Sequence, residues 1–136
     1  MSFKNISIVT AIIAFLLGIG YLFFGSLVIG RWQIEPTNSI LLLGRRMGSL
    51  YLGLSIIFFL SRSLTLSTTR TALSIGAAVT LSLLALLGIY EYSLGRVGSG
   101  ILISVVIESL LAIGYAIVIF KDRKASVRKP LINGKR

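Results

Sequence analysis

The chain has 136 residues, 55% of them hydrophobic and only 13% charged, with a mean hydropathy of +0.94. Soluble domains carry about twice that share of charge, so the composition excludes an ordinary water-soluble fold and points to a bilayer. The chain contains no Cys and no His, which removes disulfides, thiol chemistry, Cys/His zinc sites and histidine acid–base chemistry.

At about 20 residues per spanning helix the length accommodates about four helices and no separate aqueous domain. The apolar run Ile6–Ile29, preceded by Lys4, is longer than the apolar core of a signal peptide and lacks a clear small-residue cleavage site. It is expected to be a retained first helix. Residues 30–38 (GRWQIEPTN) form a loop, because Pro36 disfavours helix in the residue before it. Trp32 reads there as an interfacial anchor. The second helix is expected over Ser39–Ser61; only the stretch from Met47 onward is free of charge, so a full-length span takes Arg45 and Arg46 below the surface. A polar connection containing Arg62 and Arg70 follows, then a third helix over Thr71–Tyr92, a turn with Gly95, Gly98 and Gly100, and a fourth helix over Ile101–Phe120. The runs are apolar on all faces rather than alternating, so the spans are helices and not barrel strands. The predicted fold is an all-α integral membrane four-helix bundle occupying residues 1–120.

Residues 121–136 carry seven of the fourteen basic residues and one acid, and Pro130 and Gly134 argue against continuing helix. With four spans both termini lie on one side, together with the connection between the second and third helices. That side collects ten basic residues, against four from Arg31, Arg96, Arg45 and Arg46. Positive residues stay in the cytoplasm, so both termini are expected there, with residues 121–136 as a basic cytoplasmic tail. Such a tail is attracted to anionic lipid at roughly 1 kcal/mol per basic residue. It lacks the interleaved aromatics of a single-stranded nucleic-acid groove, and no nucleic-acid partner is expected.

The fourth helix contains an acid, Glu108, seven residues from its start at Ile101, and the second contains Arg45 six residues from Ser39. At 1.5 Å per residue both lie about 10 Å deep. Intramembrane charges face the bundle interior and pair, so Glu108 is expected to pair with Arg45 or Arg46 while the other arginine reaches the outer interface or Glu91. Stripes of small and polar residues accompany this cluster: Ser104, Glu108, Ala112 and Tyr115 on the fourth helix, Thr10, Ala14, Gly18 and Tyr21 on the first, and Gly44, Gly48 and Gly53 on the second. Small residues let helices approach closely in lipid, so these stripes read first as packing seams, and they equally suit a homo-oligomer. The candidate ligand-binding residues are Arg45, Arg46, Glu108, Glu91, Tyr51 and Tyr115, forming either a structural ion-pair cluster or a polar pocket open to the outer side. One membrane carboxylate without a second acid, a histidine or a metal set does not suit catalysis. No cofactor, metal or enzymatic activity is expected.

The segment Leu43-Gly44-Arg45-Arg46-Met47-Gly48-Ser49-Leu50-Tyr51-Leu52-Gly53 resembles the arginine-and-glycine helix of the DoxX-like group of small four-helix membrane proteins. The size and four-span plan are similar to that group as well. The resemblance implies an accessory protein of the cytoplasmic membrane, in a group that includes redox-complex subunits and assembly factors. The absence of Cys and His leaves no usual haem or copper ligand for direct electron transfer. The leading expectation is therefore a non-enzymatic membrane protein that binds a partner protein or small amphiphile. The alternative is a small oligomeric transporter or channel with Glu108 as its coupling carboxylate.

Overall fold

A computed structural model describes residues 2–127. Among the described residues five α-helices form and no strands: α1 (Phe3–Phe23), α2 (Gly25–Gly30), α3 (Asn38–Ser61), α4 (Thr68–Ser93) and α5 (Ile101–Val127). Four of them, all but α2, are long and apolar enough to cross a membrane.

Hydroxyl caps set three of the helix starts. Ser2, Thr37 and Ser67 each hold an extended backbone and accept a hydrogen bond from the N–H three residues on, those of Asn5, Ile40 and Arg70. An N-cap satisfies a donor that the helix itself cannot, which is why α1 and α4 begin three residues earlier than the apolar runs alone indicate. The continuous first helix expected over residues 6–29 is broken at Phe24, whose backbone (φ −125°, ψ 30°) leaves the helical region. Its N–H still donates to the Gly20 carbonyl, and its carbonyl starts α2 by accepting from Leu27 and Val28. The fourth long helix runs past Phe120 to Val127, so the first residues of the expected tail are helical. Lys124 in the last turn complements the negative end of the helix dipole. The remainder of the basic segment, with Pro130 and Gly134, lies outside the described residues.

The four long helices alternate in direction. Residue 2, the α3–α4 connection and the end of α5 share one end of the bundle, the terminal end; the connections 31–37 and 94–100 share the far end. α1 packs along α3, α4 packs along α5, and the two pairs join where α1 meets α5, whereas α3 and α4 scarcely touch. The result is a bundle with a gap in one wall.

Glycines permit the two main seams. A Cβ at Gly48 would stand 2.9 Å from the Gly18 carbonyl oxygen, and one at Gly88 would stand 2.6 Å from Val105 Cγ2. The core fills the terminal half of the bundle, where Phe3, Ile6, Ala11, Phe58, Ala77, Leu111, Tyr115 and Val118 pack together. Two polar contacts inside it cross between helices: Ser55 Oγ donates to the Ala11 carbonyl at 2.9 Å and Tyr115 Oη to Thr10 Oγ1 at 3.0 Å, while the buried hydroxyls of Ser7 and Ser74 have no partner among the described residues. On exposed faces, Ser49, Ser61 and Thr71 donate to carbonyls four residues back in their own helices, which satisfies each hydroxyl without water.

A second tie closes the terminal end. Arg70 Nη2 meets Asp122 Oδ1 at 2.7 Å, Arg70 Nη1 donates to the Leu64 carbonyl at 3.4 Å, and the guanidinium stands 4.8 Å from the centre of the Phe3 ring. One side chain thus joins α1, the α3–α4 connection, α4 and the extension of α5.

Candidate functional site

The gap between α3 and α4 leads into a cavity of about 610 Å³. Its floor is formed by α1 and α5 and its walls by α3 and α4. From Thr10 to Tyr21 along α1 it follows about 16 Å of helix rise. The terminal and middle stretches are mostly apolar, with Leu17, Leu54, Ile57, Leu73, Leu81 and Ile107 among the lining side chains and Thr10, Thr69 and Thr80 as the hydroxyl-bearing exceptions. The far end is different. Tyr21, Trp32, Tyr51, Ser104 and Glu108 line it together, so the cavity has one aromatic and polar end and one apolar body.

Each of these far-end residues is held by a particular local feature. Tyr21 belongs to the buried stripe of α1, and its ring stacks on Tyr51 of α3 with centroids 6.0 Å apart and planes 11° apart. Trp32 meets Tyr21 edge-on at 6.3 Å. The backbone of Trp32 is fixed by its carbonyl, which accepts from the Gly98 N–H at 2.7 Å. Gln33 follows at φ +59°, turning the chain so that its side chain packs where a Gly98 Cβ would otherwise stand. Ser104 and Glu108 lie one turn apart on α5, which puts both on the same face.

The expected ion pair does not form. Among the described residues the ion pairs are Arg70–Asp122 and Arg96–Glu91, and Glu108 has no basic nitrogen within 4.0 Å. Arg45 and Arg46 are exposed. The cause is the phase of α3: Gly44 and Gly48 occupy its inward face, Gly44 against Tyr21 and Ile29 and Gly48 against Gly18 and Leu22. Arg45 is rotated by about 100° and Arg46 by about 200° from Gly44, which carries both away from that face. Equal height along the bundle does not bring the groups together, because the azimuth of α3 turns the arginines away. Glu91 does not meet Arg45 or Arg46 either; it faces Arg96 at 3.5 Å in a largely exposed pair, which contributes little to stability. Tyr115 is fully buried beneath the cavity rather than on its wall, with its ring 5.9 Å from that of Phe58.

Of the six candidate residues the structure therefore brings two, Glu108 and Tyr51, to one cavity. Reading the sequence did not assign Tyr21 or Trp32 to this site, nor did it anticipate the Arg70–Asp122 tie. A signal for Tyr21 was present, since it continues the Thr10, Ala14, Gly18 stripe on the face of α1 that turns inward. Among the described residues no group of three His, Cys, Asp or Glu side chains is arranged to hold a metal ion. Compared with known proteins, the chain matches no family model, no curated protein and no solved structure.

Proposed function

We propose that this chain is a non-enzymatic integral membrane protein of the cytoplasmic membrane that holds a small amphiphile in the cavity between α3 and α4. The observation that carries this reading is the cavity, about 610 Å³ and open through the gap between those helices. Its volume lies within the range of small-molecule sites, and its lining has the usual pattern of an apolar body with a few convergent polar groups. The gap faces sideways, where an amphiphile dissolved in a bilayer enters without crossing water.

Insertion is supported by the surface as well as by helix length. Leu16, Leu50, Leu86, Ile103 and Leu110 are each more than 60% exposed, and contiguous apolar surface on this scale is foreign to a soluble monomer. Orientation follows the positive residues. Lys4, Arg62, Arg70, Lys121, Arg123 and Lys124 gather at the terminal end, which supports a cytoplasmic terminal end with Glu108 toward the outer leaflet. Anionic headgroups are then the partners of the basic segment that ends the chain. The DoxX-like resemblance fits an accessory role of this kind.

Gly76 supplies the test. It lines the cavity, and a Cβ built there meets nothing within 4 Å. In Gly76→Leu the new side chain occupies cavity space, while replacing a helical glycine adds stability of up to about 1 kcal/mol. The expected result is an unchanged or raised thermal midpoint with at least tenfold weaker binding of amphiphilic probes, measured by calorimetry on the purified protein. Binding that survives the plug rejects the cavity as the site.

A second reading, transport with Glu108 as coupling carboxylate, draws on the position of that acid on the cavity wall. In proteoliposomes it requires a coupled flux that Glu108→Gln abolishes. A wild-type chain that moves no substrate rejects it.

A further inference from the structure

The polar end of the cavity has a definite sign. Among the described residues Glu108 is its one charged lining residue, and no described lysine or arginine lines the cavity. The two arginines closest in height to Glu108 are exposed on α3, and the two ion pairs among the described residues engage other acids. The same end of the cavity is lined by three aromatic rings, Tyr21, Trp32 and Tyr51, with Tyr21 in contact with both of the others. Ring faces carry negative electrostatic potential and attract cations, most strongly where water is excluded. An aromatic group next to a lone acid makes both neighbours of an incoming ligand electronegative.

From this arrangement we infer that the occupant is an amphiphilic organic cation, its onium centre between Glu108 and the Tyr21–Trp32–Tyr51 rings and its apolar body along α3 and α4. This rests on the reading of the cavity as a ligand site. An anionic amphiphile meets a carboxylate and ring faces with no basic group to receive it. A neutral one gains nothing from a carboxylate and leaves it, where ionised, without a counter-ion in apolar surroundings, which is costly. A small metal ion requires several oxygen ligands in a compact shell, and among the described residues no such acidic cluster exists. A cation with an apolar body matches both ends of the cavity. Its source is either a free organic cation or the ammonium group of a lipid.

The experiment compares probes of like shape and different charge. Purified full-length protein in neutral maltoside micelles is titrated with tetraphenylphosphonium, triphenylphosphine oxide and tetraphenylborate. Calorimetry provides the dissociation constants, and fluorescence of Trp32, the only tryptophan in the chain, reports occupancy at the ring cluster. The expected result is saturable binding of the phosphonium at least tenfold tighter than of the neutral probe, with the borate weakest. Glu108→Gln should lose at least tenfold in phosphonium affinity while leaving the neutral probe within twofold. If Glu108→Gln does not elute as a single species, Tyr51→Leu takes its place, with an expected loss of threefold or more for the cation alone.

Equal affinities for the phosphonium and the neutral probe, or a cation affinity indifferent to these substitutions, overturn the inference and leave the cavity reading standing. If none of the three probes binds, the cavity reading itself falls. Added phosphatidylcholine that competes with the phosphonium identifies a lipid ammonium as the occupant. Absence of competition identifies a free organic cation, and both results uphold the onium class.

Discussion

Gly48 is buried on α3 and Gly76 exposed on α4, and a side chain has opposite consequences at the two positions. A Cβ at Gly48 would press on the Gly18 carbonyl oxygen at 2.9 Å and on Leu22 and Tyr21 at 3.0 Å, whereas one at Gly76 meets open space. Backbone cannot rotate out of the way as a side-chain tip can. Gly48→Val is therefore expected to cost about 2 kcal/mol by forcing α1 and α3 apart, read as a lower midpoint of thermal unfolding in micelles. Gly53→Ala is the control, since nothing stands within 4 Å of a Cβ there. It should be neutral or stabilising by up to about 1 kcal/mol. Tyr115 and Glu108 present a similar contrast. The hydroxyl of Tyr115 is committed to Thr10 inside the core, so its role is packing, while the carboxyl of Glu108 faces a cavity. Both belong to one polar stripe in the sequence, and periodicity cannot separate a residue beneath a cavity from one on its wall.

The helices α4 and α5 are joined at their terminal ends by Arg70 and Asp122, whose side chains are only 19% and 13% exposed. Removing one partner strands the other, so Arg70→Met is expected to lower stability by about 2 kcal/mol. Asp122→Asn retains an acceptor for the guanidinium and should cost less. The double variant should fall short of the sum, because the two changes remove one shared interaction. Denaturation of the single and double variants in micelles measures this coupling; a strictly additive result would show that the tie contributes nothing. The same contact explains why α5 outlasts its apolar stretch. Lys121, Asp122, Arg123 and Lys124 read in the sequence as the start of a basic tail, because hydropathy reports where apolar residues end and not where backbone hydrogen bonding ends. Asp122 was the overlooked signal, the lone acid in a basic segment. At the other extreme, α1 and α2 occupy one unbroken apolar run, and nothing in its hydropathy marks the break at Phe24.

For the molecule as a whole, the proposed orientation has a direct test because the chain contains no cysteine. A cysteine replacing Ser63 lies in the α3–α4 connection, and one replacing Ser99 lies in the far-end connection; both positions are exposed. In intact cells a membrane-impermeant maleimide should label Ser99→Cys alone, and Ser63→Cys should react only after permeabilisation. The reverse pattern would invert the orientation and move Glu108 to the inner leaflet. The open wall between α3 and α4 belongs to this level too. It arises because α1–α3 and α4–α5 each pack along glycine-bearing seams while α3 and α4 present no comparable pair to one another.

Four long apolar helices, and the small-residue seam through Gly18, Gly44 and Gly48, were legible in the amino-acid order because hydropathy and helical periodicity are local properties. So was the height of Glu108 along α5, which needs only the start of that helix and the rise per residue. The partners of that acid were not legible. Whether Arg45 or Tyr51 shares its space depends on the rotation of α3 about its own axis, and that rotation is set by the contact of Gly44 and Gly48 with α1 and α2. Tertiary packing therefore placed the arginines outside, brought three rings and the carboxyl to one cavity, and left that cavity open where two helices fail to meet.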